Sequence, residues 1–354
     1  MREAKLSILE RLERAGAQSV LRLPETAKIL LSGRPRVVVD GLVLDPDMQL
    51  LLALRSLVRS DSLSGGLAPA AARAQLHREA LVHRGNPTRV GHVHERLVDG
   101  AAGPLEARHY VPDEQGQRPL LVFFHGGGFV VGDLDTHDEA CRILCRHAGV
   151  HVLSVAYRLA PEAPFPAAVD DARAAFLWAQ NNASDLGADP SCVGLGGDSA
   201  GGNLAAVVSQ MLVHENAKPP AMQLLIYPSV DQIKEWPSYS LFAEGYFLSR
   251  ADLDYYIETY AAGSDVGDVR VSPLRAESFV RFPAALVVTA GFDPLRDEGE
   301  AYAAALANAG CTVVCRRMSG LVHGFINMTG VSSACREALV EIAGATRAML
   351  ASAS

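Results

Sequence analysis

The chain has 354 residues, 49% of them hydrophobic, which is enough to bury a deep core and to enclose a pocket. The net charge is −8 and no cluster of positive charge stands out, which argues against a nucleic-acid partner. No apolar run predicts a membrane span, and the first twenty residues lack the apolar stretch of a secretory signal. We therefore expect a cytoplasmic protein.

In the amino-terminal quarter of the sequence, apolar residues recur at the spacing of a helix rather than that of a strand. We interpret residues 1–90 as an amino-terminal extension followed by cap helices. Leu51, Leu54 and Val58 recur at helical spacing, and Pro69 opens a second amphipathic segment. These helices are expected to lie over an apolar surface.

Strand-like segments begin after the predicted cap helices. Residues 91–98 and 105–111 alternate apolar with polar positions, and Leu120–Phe124 is continuously apolar. Helix-like and strand-like segments then alternate to the end of the chain, apart from an aromatic, helix-prone stretch over residues 228–281. This alternation predicts an α/β fold, with a mostly parallel, doubly wound sheet and helices on both faces. We expect one compact unit over residues 91–354, in which the aromatic stretch is an insertion that joins the cap.

A Gly-x-Ser-x-Gly pattern lies where a predicted strand ends and a predicted helix begins. Residues 197–201 follow the apolar run Cys192–Leu195 and precede a helix-like stretch. In so tight a turn, a Cβ at Gly197 or Gly201 would collide with the strand or the helix, while the serine hydroxyl stays exposed. The pattern therefore predicts a nucleophile elbow with Ser199 as the nucleophile, in preference to a structural glycine-rich turn.

A serine nucleophile needs a base, and the base needs a carboxylate that fixes its tautomer. Asp293 follows the predicted strand Ala284–Ala290, and His323 lies after the last strand and before the last helix. The order Ser199, Asp293, His323 is that of an α/β-hydrolase. Asp297 is the rival carboxylate, but we expect it to begin the next helix, whereas a loop residue can reach the histidine.

A glycine run follows another predicted strand and supplies candidate oxyanion donors. His125–Gly128 comes directly after Leu120–Phe124, and glycines allow backbone N–H groups to converge on one point. We predict Gly127 and Gly128 as donors, joined by Ala200 at the start of the helix after the elbow. His125 itself is expected to support the loop rather than take part in the reaction.

Two patterns could suggest a metal site, and both have simpler explanations. His92 and His94 share a predicted strand face, but the sequence places no third ligand, so a solvated face is preferred. The six cysteines are Cys141, Cys145, Cys192, Cys311, Cys315 and Cys335. They include two C-x-x-x-C pairs, which we interpret as buried thiols rather than a zinc site. No metal and no cofactor is predicted.

Taken together, the motifs resemble the hormone-sensitive-lipase-like carboxylesterases, bacterial family IV, in the branch that carries GDSAGG. The matching stretches are HGGGFVVGDLDTHD (125–138), YRLAPEAPFPAAVDDA (157–172), GDSAGGN (197–203), DPLRDEGEAYA (293–303) and VHGF (322–325). The resemblance extends from about residue 45 to the end. It implies the α/β-hydrolase fold, short to medium acyl esters as substrates, and a homodimer through the last strand and helix. The triad and oxyanion residues it implies are Ser199, Asp293, His323, Gly127, Gly128 and Ala200.

The predicted reaction is hydrolysis of a small-molecule ester through an acyl-enzyme. An amidase is one alternative, because the sequence does not show how well His323 is placed to protonate an amide leaving group. A non-catalytic small-molecule binding protein is another, because plant gibberellin receptors resemble this family but lack the catalytic histidine. A long-chain lipase is less favoured, since no large exposed apolar lid is evident. The aromatic residues Tyr255, Tyr256 and Tyr260 are expected to pack in the core or cap rather than contact substrate.

Overall fold

The computed structural model describes residues 11, 14–16, 19, 22–57, 67–114 and 116–353. Our interpretation of the first twenty residues therefore falls mostly outside the described part of the chain. The first described helix is α1 (Glu25–Leu31). It is followed by a short hairpin of two strands, β1 (Val38–Val39) and β2 (Leu42–Val43).

An eight-stranded sheet forms the centre of the fold. Its strands in chain order are β3 (His92–Gly100), β4 (Gly103–Val111), β5 (Arg118–Phe124), β6 (His151–Val155), β7 (Ala188–Asp198), β8 (Met222–Ile226), β9 (Ala284–Phe292) and β10 (Val313–Val322). They lie in the order β10-β9-β8-β7-β5-β6-β4-β3. The pairings of β3 with β4 and of β4 with β6 are antiparallel, and all others are parallel. The prediction of a mostly parallel sheet is confirmed.

The strand order places a crevice at one point of the sheet. Strand β5 lies between β6, which follows it in the chain, and β7, so the winding direction reverses at the β5–β7 pair. The loops that leave the carboxyl ends of such a pair turn to opposite sides and leave a crevice above the sheet edge. His125 follows β5 and Ser199 follows β7, so both predicted loops meet at this crevice.

Helices cover both faces of the sheet, as the alternation predicts. On one face α4 (Asp138–Ala148) and α10 (Ser333–Ala353) contribute to one apolar core. On the other face a second core contains residues of α5 (Ala167–Asn182), α6 (Ala200–His214) and α9 (Arg296–Asn308). The sheet is therefore buried on both sides, which explains its continuous apolar central strands.

The remaining helices lie at the carboxyl edge of the sheet. They are α2 (Pro46–Leu57), α3 (Pro69–His83), α7 (Pro237–Leu241) and α8 (Arg250–Ala261). Helix α8 begins at a capping box, in which Ser249 and Asp252 satisfy each other's backbone N–H groups. Residues of α3 and α8 line the same pocket as Ser199.

Two predictions about the cysteines and histidines have different outcomes. The prediction of buried thiols is wrong for Cys315, which is exposed, and for Cys311, which is half-buried. Cys315 lies on β10, an edge strand of the sheet, in a stretch where residues 314–316 are all exposed. His92 and His94 lie exposed on the opposite edge strand with stacked rings, and the described residues contain no group of three or more potential metal ligands.

None of the helices within the described ranges is both long enough and apolar enough to cross a membrane.

Candidate active site

The turn that carries Ser199 is held by close backbone contacts. Ser199 joins β7 to α6 with φ 53° and ψ −118°, a backbone conformation that a non-glycine residue rarely adopts and that costs roughly 1–3 kcal/mol. A Cβ on Gly197 would lie 2.4 Å from the backbone of Gly201, and a Cβ on Gly201 would lie 1.9 Å from the carbonyl oxygen of Phe124. Both glycines are therefore required for the strand and helix to approach this closely.

The structure brings three distant side chains together at the sheet edge. Nε2 of His323 lies 3.0 Å from Oγ of Ser199, and Nδ1 of His323 lies 2.8 Å from Oδ2 of Asp293. His323 comes directly after β10 and Asp293 directly after β9, which runs two residues further than the sequence indicates. The second oxygen of Asp293 accepts the N–H of Leu295 at 2.9 Å, which fixes the orientation of the carboxylate.

The rival carboxylate has other partners. Asp297 lies in the first turn of α9, where it accepts the N–H of Ser238 at 2.9 Å and the Nε–H of Arg296 at 2.8 Å. Asp293, and not Asp297, is hydrogen-bonded to the imidazole of His323.

The three predicted oxyanion donors line the same pocket as Ser199. Gly127 and Gly128 have φ values of +124° and +58°, and a Cβ on Gly128 would lie 2.2 Å from Cγ of Tyr256. In the part of the chain that the structure describes, the N–H groups of Gly127 and Gly128 have no acceptor. Ala200 is the first residue of α6, so its N–H has no intrahelical partner. All four residues line one pocket.

A buried carboxylate supports the glycine loop from below. Oδ1 of Asp198 accepts the N–H of Gly126 at 2.8 Å and lies 3.1 Å from Nε2 of His137, while Tyr227 donates to Oδ2 at 3.3 Å. Burial alone would raise the pKa of Asp198, but His137 and the N–H of Gly126 outweigh it, so its pKa lies below the usual value. Asp198 is therefore an ionised anchor for the loop. The sequence gives no local signal that residues 126, 137 and 198 meet.

His125 packs beneath the same loop. Its Nδ1 lies 2.8 Å from the carbonyl oxygen of Gly126, and its ring stacks on Tyr157 with centroids 4.5 Å apart. The hydroxyl of Tyr157 donates to the carbonyl of His125 at 2.7 Å. Burial lowers the pKa of His125 to about 4, so the ring is neutral near pH 7. These contacts fit a supporting role.

The pocket above Ser199 encloses about 930 Å³, including its opening to solvent. Its lining combines apolar side chains with the polar groups around Ser199, as small-molecule sites commonly do. Its apolar side chains come mainly from the insertion and its surroundings: Phe247, Leu248, Leu253, Tyr256, Ile257 and Leu295. Helix α3 contributes Leu76, Glu79, Ala80 and His83.

The three tyrosines of α8 pack in or against the core, and one of them also lines the pocket. Tyr256 is buried in one of the apolar cores, as expected, and its ring also lies against Gly128 and lines the pocket. Tyr260 stacks on Phe129 in the core, with centroids 3.7 Å apart. Sequence reasoning missed Tyr256, Glu79 and His83 as pocket residues. Helical spacing places Leu76, Ala80 and His83 on one face of α3, but it does not show that this face lines a pocket.

Comparison with known proteins gives one consistent relationship. A family model described as the alpha/beta hydrolase fold matches residues 121–327. The chain is 45% identical over 335 residues to the carboxylic ester hydrolase LipN of Mycobacterium tuberculosis, covering 93% of this chain and 89% of that protein.

Solved structures show the same likeness. The structure of an ester hydrolase from the metagenome of Lake Arreo is 41% identical with a TM-score of 0.82, covering 86% of this chain and 98% of that one. A thermostable esterase from Pseudomonas putida is 31% identical with a TM-score of 0.83, covering 89% and 99%. The likeness to each of them extends over nearly the whole of both chains.

Proposed function

The chain belongs to the hormone-sensitive-lipase-like family of α/β hydrolases, and from that premise we propose that it is a serine carboxylesterase acting on short to medium acyl esters. The observation that carries the proposal is the position of His323, with one ring nitrogen 3.0 Å from the Ser199 hydroxyl and the other 2.8 Å from the Asp293 carboxylate. The names of the relatives, which are carboxylic ester hydrolases and esterases, support the same reaction class.

The first half of the reaction transfers the acyl group to the enzyme. Oγ of Ser199 attacks the ester carbonyl carbon while Nε2 of His323 takes its proton, and the carbonyl π electrons move to the oxygen. Asp293 holds the imidazole in the required tautomer and stabilises the imidazolium. When the tetrahedral intermediate collapses, the bond to the alcohol oxygen breaks, and that oxygen takes the proton from Nε2 and leaves as the alcohol.

The second half releases the acid by the same route. A water molecule attacks the acyl carbon of the acyl-Ser199 ester while His323 accepts its proton. The second tetrahedral intermediate expels Oγ of Ser199, which recovers the proton from Nε2, and the carboxylic acid departs. The enzyme returns to its starting state with no net change in protons or electrons.

Negative charge develops on the carbonyl oxygen in both halves. The N–H groups of Gly127, Gly128 and Ala200 are the donors proposed for it, and each such donor typically lowers the barrier by about 3 kcal/mol. The hydrogen bond from the N–H of Gly126 to Asp198 supports the loop that carries the two glycine donors.

The pocket supports the proposed substrate range. Its apolar wall, formed mainly by Phe247, Leu248, Leu253, Tyr256, Ile257 and Leu295, offers a surface against which an acyl chain can pack. We therefore expect butyrate and hexanoate esters to be turned over faster than esters of long-chain acids.

Hydrolysis of p-nitrophenyl butyrate by Ser199→Ala tests the proposal. Ser191→Ala is the matched control, because Ser191 lies exposed toward the other end of β7 and, among the described residues, its hydroxyl bonds to Asp189 alone. We expect Ser199→Ala to lose at least about 10⁴-fold in kcat and Ser191→Ala to keep wild-type turnover. Retained turnover in Ser199→Ala would refute the assignment.

A further inference from the structure

One imidazole in the pocket has no part in the proposed reaction. His83 is the last residue of α3 and lines the same pocket as Ser199. The ring is half-buried, and within the described residues neither of its nitrogens has a hydrogen-bond partner, so both are open to a ligand in the pocket. Burial lowers the pKa of His83 to about 4, so near pH 7 the ring is neutral and offers one donor and one acceptor.

The charges around His83 already have partners. Glu79 lies one helical turn before it and also lines the pocket. Its carboxylate binds Nη1 of Arg55 at 2.7 Å and Nε2 of Gln75 at 3.0 Å. Arg55 and Arg78 are the cations that act on His83, and Glu79 is the anion. The Glu79 carboxylate is therefore already occupied by Arg55 and Gln75 and does not compete for the ring of His83.

The backbone of His83 is joined to the segment that follows His323. Its carbonyl accepts the N–H of Gly330 at 2.9 Å, on the segment that continues from His323. Asn327 and Met328 of that segment line the pocket. The leaving alcohol takes its proton from Nε2 of His323, so the alcohol part of the ester lies on the His323 side. The apolar wall around α8 is left for the acyl chain.

We propose that His83 is a specificity-determining residue that hydrogen-bonds a hydroxyl group on the alcohol part of the substrate. The preferred substrates are then short-chain esters of hydroxylated alcohols rather than of simple alkyl alcohols. This inference rests on the proposed esterase function and goes beyond it, because it names the alcohol.

Two butyrate esters that differ only in the terminal group of the alcohol chain test the inference. n-Butyl butyrate ends in a methyl group where 3-hydroxypropyl butyrate has a hydroxyl. In His83→Leu the ratio of kcat/KM for the hydroxypropyl ester to that for the butyl ester is expected to fall about tenfold, the usual effect of one hydrogen bond. The loss is expected in KM, because the contact is made in the ground state and the transition state alike. His83→Gln, which keeps a donor and an acceptor, is expected to retain the ratio within about threefold.

Leu76→Met is the matched control, because Leu76 lies two helical turns before His83 on the same face of α3 and also lines the pocket. It is expected to affect both esters alike and leave the ratio unchanged. An unchanged ratio in His83→Leu overturns the inference. A changed acyl-length preference with an unchanged ratio also overturns it, because His83 would then face the acyl chain.

The wild-type protein supplies a test that needs no variant. It is expected to hydrolyse the hydroxypropyl ester at least as efficiently as the butyl ester, whereas an apolar pocket would disfavour the hydroxyl. A tenfold preference for the butyl ester contradicts the role of His83 even if the variants do not fold. Failure to hydrolyse either ester would instead refute the proposed function.

Discussion

Replacing Gly128 with alanine perturbs the proposed oxyanion loop at its most crowded point. The added Cβ would lie 2.2 Å from Cγ and 2.6 Å from Cδ1 of Tyr256. Carbon atoms pack at about 3.5–4.0 Å, so the overlap exceeds about 1 Å and the loop or the Tyr256 ring must shift. The φ value of +58° adds roughly 1–2 kcal/mol of backbone strain for a residue with a Cβ.

The effect on the reaction follows from the size of that shift. A donor displaced by about 1 Å no longer meets the oxyanion, and loss of one such donor lowers kcat by about 10²–10³-fold. KM should change by less than a few-fold, because the contact strengthens only as charge develops. Adding Tyr256→Ala to Gly128→Ala removes the overlap and is expected to restore part of kcat.

Steady-state kinetics with p-nitrophenyl butyrate, together with thermal unfolding, provide the assay. Gly310→Ala is the matched control, because Gly310 has φ +87° and no atom within 4 Å of an added Cβ. It should lose stability through the same backbone strain while kcat stays at the wild-type value. A folded Gly128→Ala protein whose kcat is within threefold of wild type would refute the role given to this loop.

Three further predictions concern the triad, the fold and the reaction class. Asp293→Asn should lower kcat for p-nitrophenyl butyrate by about 10⁴-fold, because the amide favours the wrong tautomer of His323; an equal loss in Asp297→Asn would count against the choice of Asp293. Burial raises the pKa of Glu298 from 4.5 to about 8. The folded state therefore holds a proton that the unfolded chain has lost, and stability should fall as pH rises between these values. Urea unfolding of Glu298→Gln should show a flatter pH dependence, and an unchanged slope would contradict this. Finally, a matched butyrate ester should be hydrolysed at least about 100-fold faster than its anilide; similar rates would indicate an amidase.

The local features of the site were predictable because short stretches of sequence determine them. The elbow at residues 197–201 needs a residue without a side chain two positions before and two positions after its serine. The strand and helix patterns around it are strong. Asp293 and His323 each follow a predicted strand, and the carboxyl ends of parallel strands meet at one sheet edge.

The remaining features depend on tertiary packing that a linear pattern does not contain. Strand β4 pairs with β6 rather than with β5, which follows it in the chain, so the sheet order was not evident from the alternation. The anchor of Gly126 on Asp198 joins residues 72 positions apart. Cys315 lies in an exposed stretch of the edge strand β10, and the apolar spacing of a strand does not show whether its faces are covered.

Labelling of the active serine tests the central claim most directly. The wild-type protein would be treated with diethyl p-nitrophenyl phosphate. Residual esterase activity would be measured with p-nitrophenyl butyrate, and the modified peptide would be identified by mass spectrometry. We predict one phosphoryl group per chain, attached to Ser199, with activity lost in proportion to labelling and no label in Ser199→Ala. Full labelling of Ser199 with activity retained, or loss of activity with the label on another residue, would contradict the account.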